Sequence, residues 1–302
     1  VERLTVRRLL ADGTGAIAGS RAIDHWLPSL ARYDAEELMA AALGAPVTPQ
    51  LRGTVPTAAQ RRRFAHMIER RVTGEPVAQI TGRFRFRGLD LRVRPDVFAP
   101  RASSEHLAGQ AITFLRRRPA PRLAVDVASG SGPIAIALAD EVRASQVWGL
   151  DISREAVLLC RANARRLGVD NVRFAQSDLL SALPRSLQGR VDAFTIHPPY
   201  VARHEVRTLP REIRDFEPLH TLSDGSADGL ELVRRLAADA TRWLAPGGAL
   251  YVEVGTYLSR RAQAALRRAG LHDVRWSRDT LGVTRVISGR RPAPARRQAA
   301  VR

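Results

Sequence analysis

The chain has 302 residues and a formal net charge of +18 at pH 7, and all 48 of its basic residues are arginine because the sequence contains no lysine. The absence of lysine excludes a Walker-type phosphate loop and a Schiff-base enzyme of the pyridoxal-phosphate kind. A hydrophobic content of 45% supports a real core, and the length suits two domains.

Residues 1–75 read as a small helical domain. "DAEELMAAALG" (Asp34 to Gly44) spaces its apolar residues as a helix does and stops at a glycine. "TAAQRRRFAHMIERRVTG" (Thr57 to Gly74) repeats that grammar, from a Thr N-cap to a terminal Gly. The period then changes. In "GRFRFRGLDLRVRP" (Gly82 to Pro95), Phe84, Phe86, Leu89, Leu91 and Val93 alternate with polar residues around Gly88. That pattern is a β-hairpin, expected as a linker over residues 76–100.

From Arg122 the pattern alternates strand with helix. "RLAVDVA", "QVWGLD", "VRFAQ", "DAFTIH" and "ALYVEV" are the strands, with helices such as Ser153 to Gly168 and Asp228 to Leu244 between them. Such alternation predicts an α/β fold with a mostly parallel sheet, here over residues 101–290. Residues Val274 to Arg290 read as a closing antiparallel hairpin, and 291–302 as a disordered basic tail.

The first strand end carries the clearest chemistry. Asp126 ends the strand, Gly130 and Gly132 open the loop, and Pro133 suits the first turn of a helix. Asp151 ends the second strand, nineteen residues after Gly132, where a carboxylate can accept from ribose hydroxyls. Asp178 and Leu179 follow the third strand and offer an acceptor and an apolar wall to an adenine. Three strand ends thus point to one nucleoside-bearing ligand rather than a ligand-free glycine turn. Gly130, Gly132 and Ala135 also match the dinucleotide fingerprint, so the spacing alone fits NAD or S-adenosylmethionine. Asp126 is poorly placed for a pyrophosphate. The fourth strand ends in His197, Pro198, Pro199 and Tyr200, which a nicotinamide does not call for. The expected cofactor is therefore S-adenosylmethionine, with S-adenosylhomocysteine as product.

The chain resembles the HemK-type protein glutamine N-methyltransferases, which act on peptide-chain release factors. The resemblance runs through "DAEELMAAALG", "GEPVAQITGRFRFRGLDLRV", "DVASGSGPIAIALA", "PPYV", "REIRDFEPLHTLSDGSADGL" and "LAPGGALYVEVG". It implies a helical N-terminal substrate-recognition domain, a hairpin linker and a seven-stranded class I (Rossmann-like) methyltransferase domain. It also implies that the first turn residue and the Pro198 carbonyl accept N–H bonds from the acceptor, while Tyr200 shapes the pocket. Three positions depart from the family. His197 stands where the family has Asn. "RASSE" (Arg101 to Glu105) stands in place of Arg-Pro-Glu-Thr-Glu. Ala128 replaces the first glycine of the loop, a mild change if its backbone angles are ordinary and a weakened cofactor site otherwise.

An imidazole can take a proton, which an Asn amide cannot. The turn chemistry therefore leads to an expected small-molecule acceptor with a guanidino or amino nitrogen, such as free arginine or a precursor in specialised biosynthesis. In that reading His197 is the base, and Glu105, Asp215 and Glu217 hold the cationic substrate. The alternative is glutamine methylation of a release factor, and the third reading is an inactive methyltransferase kept as a binding module.

Cys160, the single cysteine, excludes a disulfide framework and reads as a buried structural thiol. The histidines show no metal-ligand spacing, so no metal is expected. The arginines are scattered without interleaved aromatics, so direct nucleic-acid binding is not expected. No apolar signal core or membrane-length run occurs, and a soluble cytoplasmic protein is the expectation.

Overall fold

The computed structural model describes residues 4–24 and 29–293. The described residues form two compact units, one comprising residues 4–24, 29–83, 93–95 and 207–218, the other 84–92, 96–206 and 219–293. Residues 294–302, most of the expected basic tail, lie outside the described residues.

The first unit is built on α1 (Val6–Ala18), α2 (Leu30–Leu43), α3 (Ala58–Val72) and α4 (Val77–Thr81). Gly44 ends α2 in the left-handed conformation, and Thr57 with Gln60 forms a capping box at the start of α3. Val6, Ile17, Leu38, Met39, Phe64 and Met67 make its core. One polar cluster is buried beside it: Arg71 Nε donates to Asp34 at 2.7 Å and Nη2 to Glu212 at 3.0 Å. Glu212 comes from the distant segment 207–218, which these bonds and a Gln79-to-Phe216 carbonyl bond of 2.8 Å tie into this unit.

The second unit begins with a hairpin of β1 (Arg83–Phe86) and β2 (Leu89–Arg92), turning through left-handed Arg87 and Gly88. The expected linker over 76–100 is divided. Phe86 and Leu91 are fully buried in the core of the second unit, so the hairpin belongs there, whereas residues before it pack with the first unit.

The main sheet contains β3 (Arg122–Val127), β4 (Ser145–Asp151), β5 (Val172–Gln176), β6 (Val191–Ile196), β7 (Leu244–Glu253), β8 (His272–Arg278) and β9 (Thr284–Arg290). Its order is β5-β4-β3-β6-β7-β9-β8, and only β9 runs antiparallel to the other six. β3 and β6 are apolar and buried along nearly their whole length, as strands covered on both faces must be. The helices Ser104–Arg116, Pro133–Glu141 and Arg154–Arg166 pack on one face, and Glu231–Trp243 with Ser259–Arg268 on the other. The strand order reverses between the neighbours β3 and β6, from which the chain proceeds to β4 on one side and β7 on the other. Ligands of such folds bind beyond the strand ends at that point. No described helix is long and apolar enough to cross a membrane.

Candidate active site

A cavity of about 340 Å³ opens at the C-terminal ends of β3 to β6. Ala128, Gly130, Asp151, Asp178, Leu179 and His197 line it, as expected of a site shared by successive strand ends. Asp126, Gly132, Pro198 and Tyr200 do not.

The loop after β3 is shaped by backbone. Gly130 and Gly132 have φ of 56° and 88°, and a Cβ on Gly132 would lie 3.1 Å from Cys160 Sγ. The Cys160 thiol is buried, donates to the Gly130 carbonyl at 3.1 Å, and is pushed well above its ordinary pKa by burial. Ala128 also adopts a left-handed φ of 56°, so its replacement of glycine is a strained one, at about 1–2 kcal/mol. Leu179 has φ of 48°, so two strained residues face one cavity.

Asp151 clamps the loop. Its Oδ2 accepts from the Gly130 N–H at 2.8 Å and its Oδ1 from the Ser153 N–H at 2.9 Å. Burial pushes this carboxyl up, and the backbone N–H bonds oppose the rise. Asp178 is exposed and accepts from Arg235 at 2.9 and 3.1 Å. Asp126, expected to touch the cofactor, is buried against β6 instead. Its Oδ1 accepts from Thr195 Oγ1 at 2.7 Å, and Oδ2 is buried without a partner. Burial raises its pKa to about 7.

The turn after β6 is shaped by side chains. His197 stacks on Tyr200 with ring centroids 5.7 Å apart and meets Phe98 edge-on at 5.6 Å. Its Nδ1 lies 3.1 Å from Ser104 Oγ and 3.7 Å from Glu253 Oε2. Burial pushes the His197 pKa down, with Glu253 acting to raise it and Arg101 and Arg285 to lower it. The ring is therefore neutral at pH 7. Tyr200 pairs with Ser223, and Gly229 packs against the Tyr200 carbonyl where no Cβ would fit. The Pro199 carbonyl accepts from the Asp224 N–H at 3.1 Å, whereas that of Pro198 has no partner among the described residues.

None of the three expected substrate carboxylates lines the cavity. Glu105 Oε1 accepts from the Arg87 N–H at 2.7 Å and closes the hairpin turn rather than lining the cavity. Asp215 and Glu217 belong to the first unit, where Asp215 accepts from Arg211 and Arg214 and Glu217 is buried. Sequence reasoning missed Phe98, Ser103, Ser104 and Glu253. Glu253 left a signal, since it is a carboxylate inside the apolar strand run "ALYVEV". The serines left only their departure from the family pattern.

These groups suit S-adenosylmethionine. A carboxylate at the second strand end suits hydroxyl donors, an apolar wall beside Leu179 suits a base, and a close-packed loop with upturned backbone admits a ligand without a bulky phosphate. Among the described residues no three His, Cys, Asp or Glu side chains gather as a metal site requires.

A methyltransferase-domain profile matches residues 123–261, and a PrmC N-terminal domain profile matches 29–82. The release factor glutamine methyltransferase of Burkholderia pseudomallei is 36% identical over 266 residues, 86% of this chain and 92% of the relative. That of Streptomyces coelicolor is 41% identical over 239 residues, 79% of this chain and 82% of the relative. Among solved structures, the T. thermophilus 16S rRNA N2 G1207 methyltransferase in complex with AdoMet and guanosine superposes with a TM-score of 0.52 at 18% identity. It covers 69% of this chain and 49% of its own. Sheet order, loop and cavity define a class I methyltransferase that uses S-adenosylmethionine. Within that class the chain belongs to the release factor glutamine methyltransferase family, and it is an N-methyltransferase.

Proposed function

We propose that this enzyme methylates the side-chain amide nitrogen of a glutamine in a peptide chain release factor. The observation that carries the reading is kinship over most of both chains. Relatives bearing that one name match at 32–41% identity, and this chain spans 92% of the first of them. The PrmC N-terminal profile adds the first unit to the match.

The small-molecule acceptor expected from the turn is thereby overturned, since relatives at 36–41% identity over most of their length are named for a release factor. The physical error lay in treating His197 as a base. Its burial disfavours the charged form, and a neutral amide needs no base before attack. Membership of this enzyme family likewise sets aside the inactive binding module.

When bound, S-adenosylmethionine supplies an electrophilic methyl group on a sulfonium. Asp151 would hold the ribose, Asp178 and Leu179 the adenine, and the loop from Ala128 to Gly132 the amino-acid end. Asp126 supports that loop from behind. The chain's main catalytic task is positioning, because an amide lone pair is delocalised and attacks only when aimed. His197 and the Pro198 carbonyl accept the two amide N–H bonds, and Tyr200 and Phe98 fix the imidazole plane. The new N–C bond forms as the S–C bond breaks. The nitrogen then carries an extra, strongly acidic proton, which passes to water.

The test is methyl transfer from labelled cofactor to a purified bacterial release factor, with free arginine in a parallel reaction. Label in the release factor and none in arginine is expected. Label in arginine with an unmethylated release factor would overturn the reading.

A further inference from the structure

We infer that Glu253 and Ser104 hold His197 in the tautomer with its proton on Nδ1, so that Nε2 presents a lone pair to the acceptor's amide N–H. The substrate half of this inference rests on the glutamine reading above. The tautomer half does not.

Several observations converge. Glu253 is buried at the end of β7, and its Oε1 accepts from Ser103 Oγ at 2.8 Å. Its Oε2 is buried with no hydrogen-bond partner and lies 3.7 Å from His197 Nδ1. Were Nδ1 unprotonated, a lone pair would face a carboxylate oxygen across a low-dielectric gap. A proton on Nδ1 is attracted instead, and Ser104 Oγ at 3.1 Å accepts it. A neutral imidazole has one N–H and one lone pair, so placing the proton on Nδ1 fixes the lone pair on Nε2. The ring lines the cavity, and Nε2 has no partner among the described residues. The edge of Phe98 and the face of Tyr200 hold the ring plane. The charged groups around the ring are Glu253, Arg101 and Arg285.

The arrangement also joins two separate departures from the family pattern. His197 stands in place of Asn, and Ser103 and Ser104 in place of Glu and Thr. The fold brings these positions together. An amide side chain offers an oxygen acceptor whichever neighbours it has. An imidazole offers an acceptor at Nε2 only if something holds the proton at Nδ1. Glu253 is thus a positioning residue, acting through His197.

Nitrogen-15 NMR of the full chain with labelled histidine reads the tautomer without any acceptor, with His197→Asn identifying the signal. Protonated Nδ1 and unprotonated Nε2 are expected, and Glu253→Gln should move the ring toward the opposite tautomer. A wild-type ring protonated at Nε2, or one indifferent to Glu253→Gln, would overturn the inference. The kinetic arm uses a release factor as acceptor. Glu253→Gln should lower kcat about tenfold with KM little changed. In a His197→Asn background the same substitution should cost less than about twofold. An equal loss in both backgrounds would make Glu253 merely structural and defeat the proposal. If the wild-type enzyme leaves the release factor unmethylated, the acceptor reading fails, while the spectrum still decides the tautomer.

Discussion

In the first unit the buried carboxylate of Asp34 shares one arginine with Glu212, and Arg71 reaches both within 3.0 Å. In the second unit the buried carboxylates of Asp126 and Glu253 have no arginine bonded to them. Each keeps one oxygen without a hydrogen-bond partner. A buried acceptor left unmet costs about 1–3 kcal/mol, so the difference is not incidental. The paired cluster fastens a distant chain segment to its unit. The unpaired oxygens lie behind the cavity, where an unspent acceptor can direct a proton or tune a loop. Among buried carboxylates, pairing with arginine marks structure, as it also does for Asp192 with Arg118 in the second unit, and an unpaired oxygen marks Asp126 and Glu253.

The sharpest way to break this comparison is Arg71→Ala. It strands two carboxylates in the first unit, and a loss of about 3–5 kcal/mol in denaturant unfolding is expected. A loss below about 1 kcal/mol would show that the cluster fastens nothing.

Asp126 tests the other side. Its carboxyl is raised from the ordinary 3.8 to about 7 in the folded chain. The native state therefore holds a proton that the unfolded state has released over this range. The stability linked to that proton is fully present below about pH 4 and is lost as the pH rises through 7, on the order of a few kcal/mol. Asp126→Asn should flatten stability against pH in that window. Superimposable slopes for the two proteins would remove Asp126 from the unpaired class. The slope is the right readout, because an orphaned Asn amide shifts the whole curve without changing its slope.

Ala128→Gly gives the smallest effect and separates backbone strain from pairing. Releasing a left-handed alanine should add about 0.5–1 kcal/mol after glycine's greater freedom in the unfolded chain is allowed for. Calorimetry of cofactor binding should show equal or tighter affinity. A lower melting temperature would show that Ala128 is not strained.

Most of the fold was legible in the sequence. The strands over residues 122–127, 145–151, 172–176 and 191–196 appear as apolar runs punctuated by glycine loops. The caps at Gly44 and Thr57 are local signals and formed as the spacing predicts. Residues after the strand ends were also foreseeable as cavity lining, because a parallel sheet sends every such loop to one end. Asp126 meets Thr195, its register partner on β6, and a sequence does not show which strands lie side by side. The partner of Glu105 was not legible, because it is a backbone N–H eighteen residues earlier, at the tip of the hairpin.

By itself the sequence determined an arginine-only, two-part chain with a parallel α/β domain and a nucleoside-shaped site. Those properties follow from local periodicity and from loops that return to one sheet end. Only the tertiary structure decided what surrounds His197. Ser104 lies 93 residues before it, and Ser103 reaches Glu253 across 150 residues. Charge, burial and tautomer depend on which groups meet inside the fold, and no pattern along the chain encodes such a meeting. The ring that reads as a base in sequence is buried in the folded protein with Glu253 behind it, and burial disfavours its charged form.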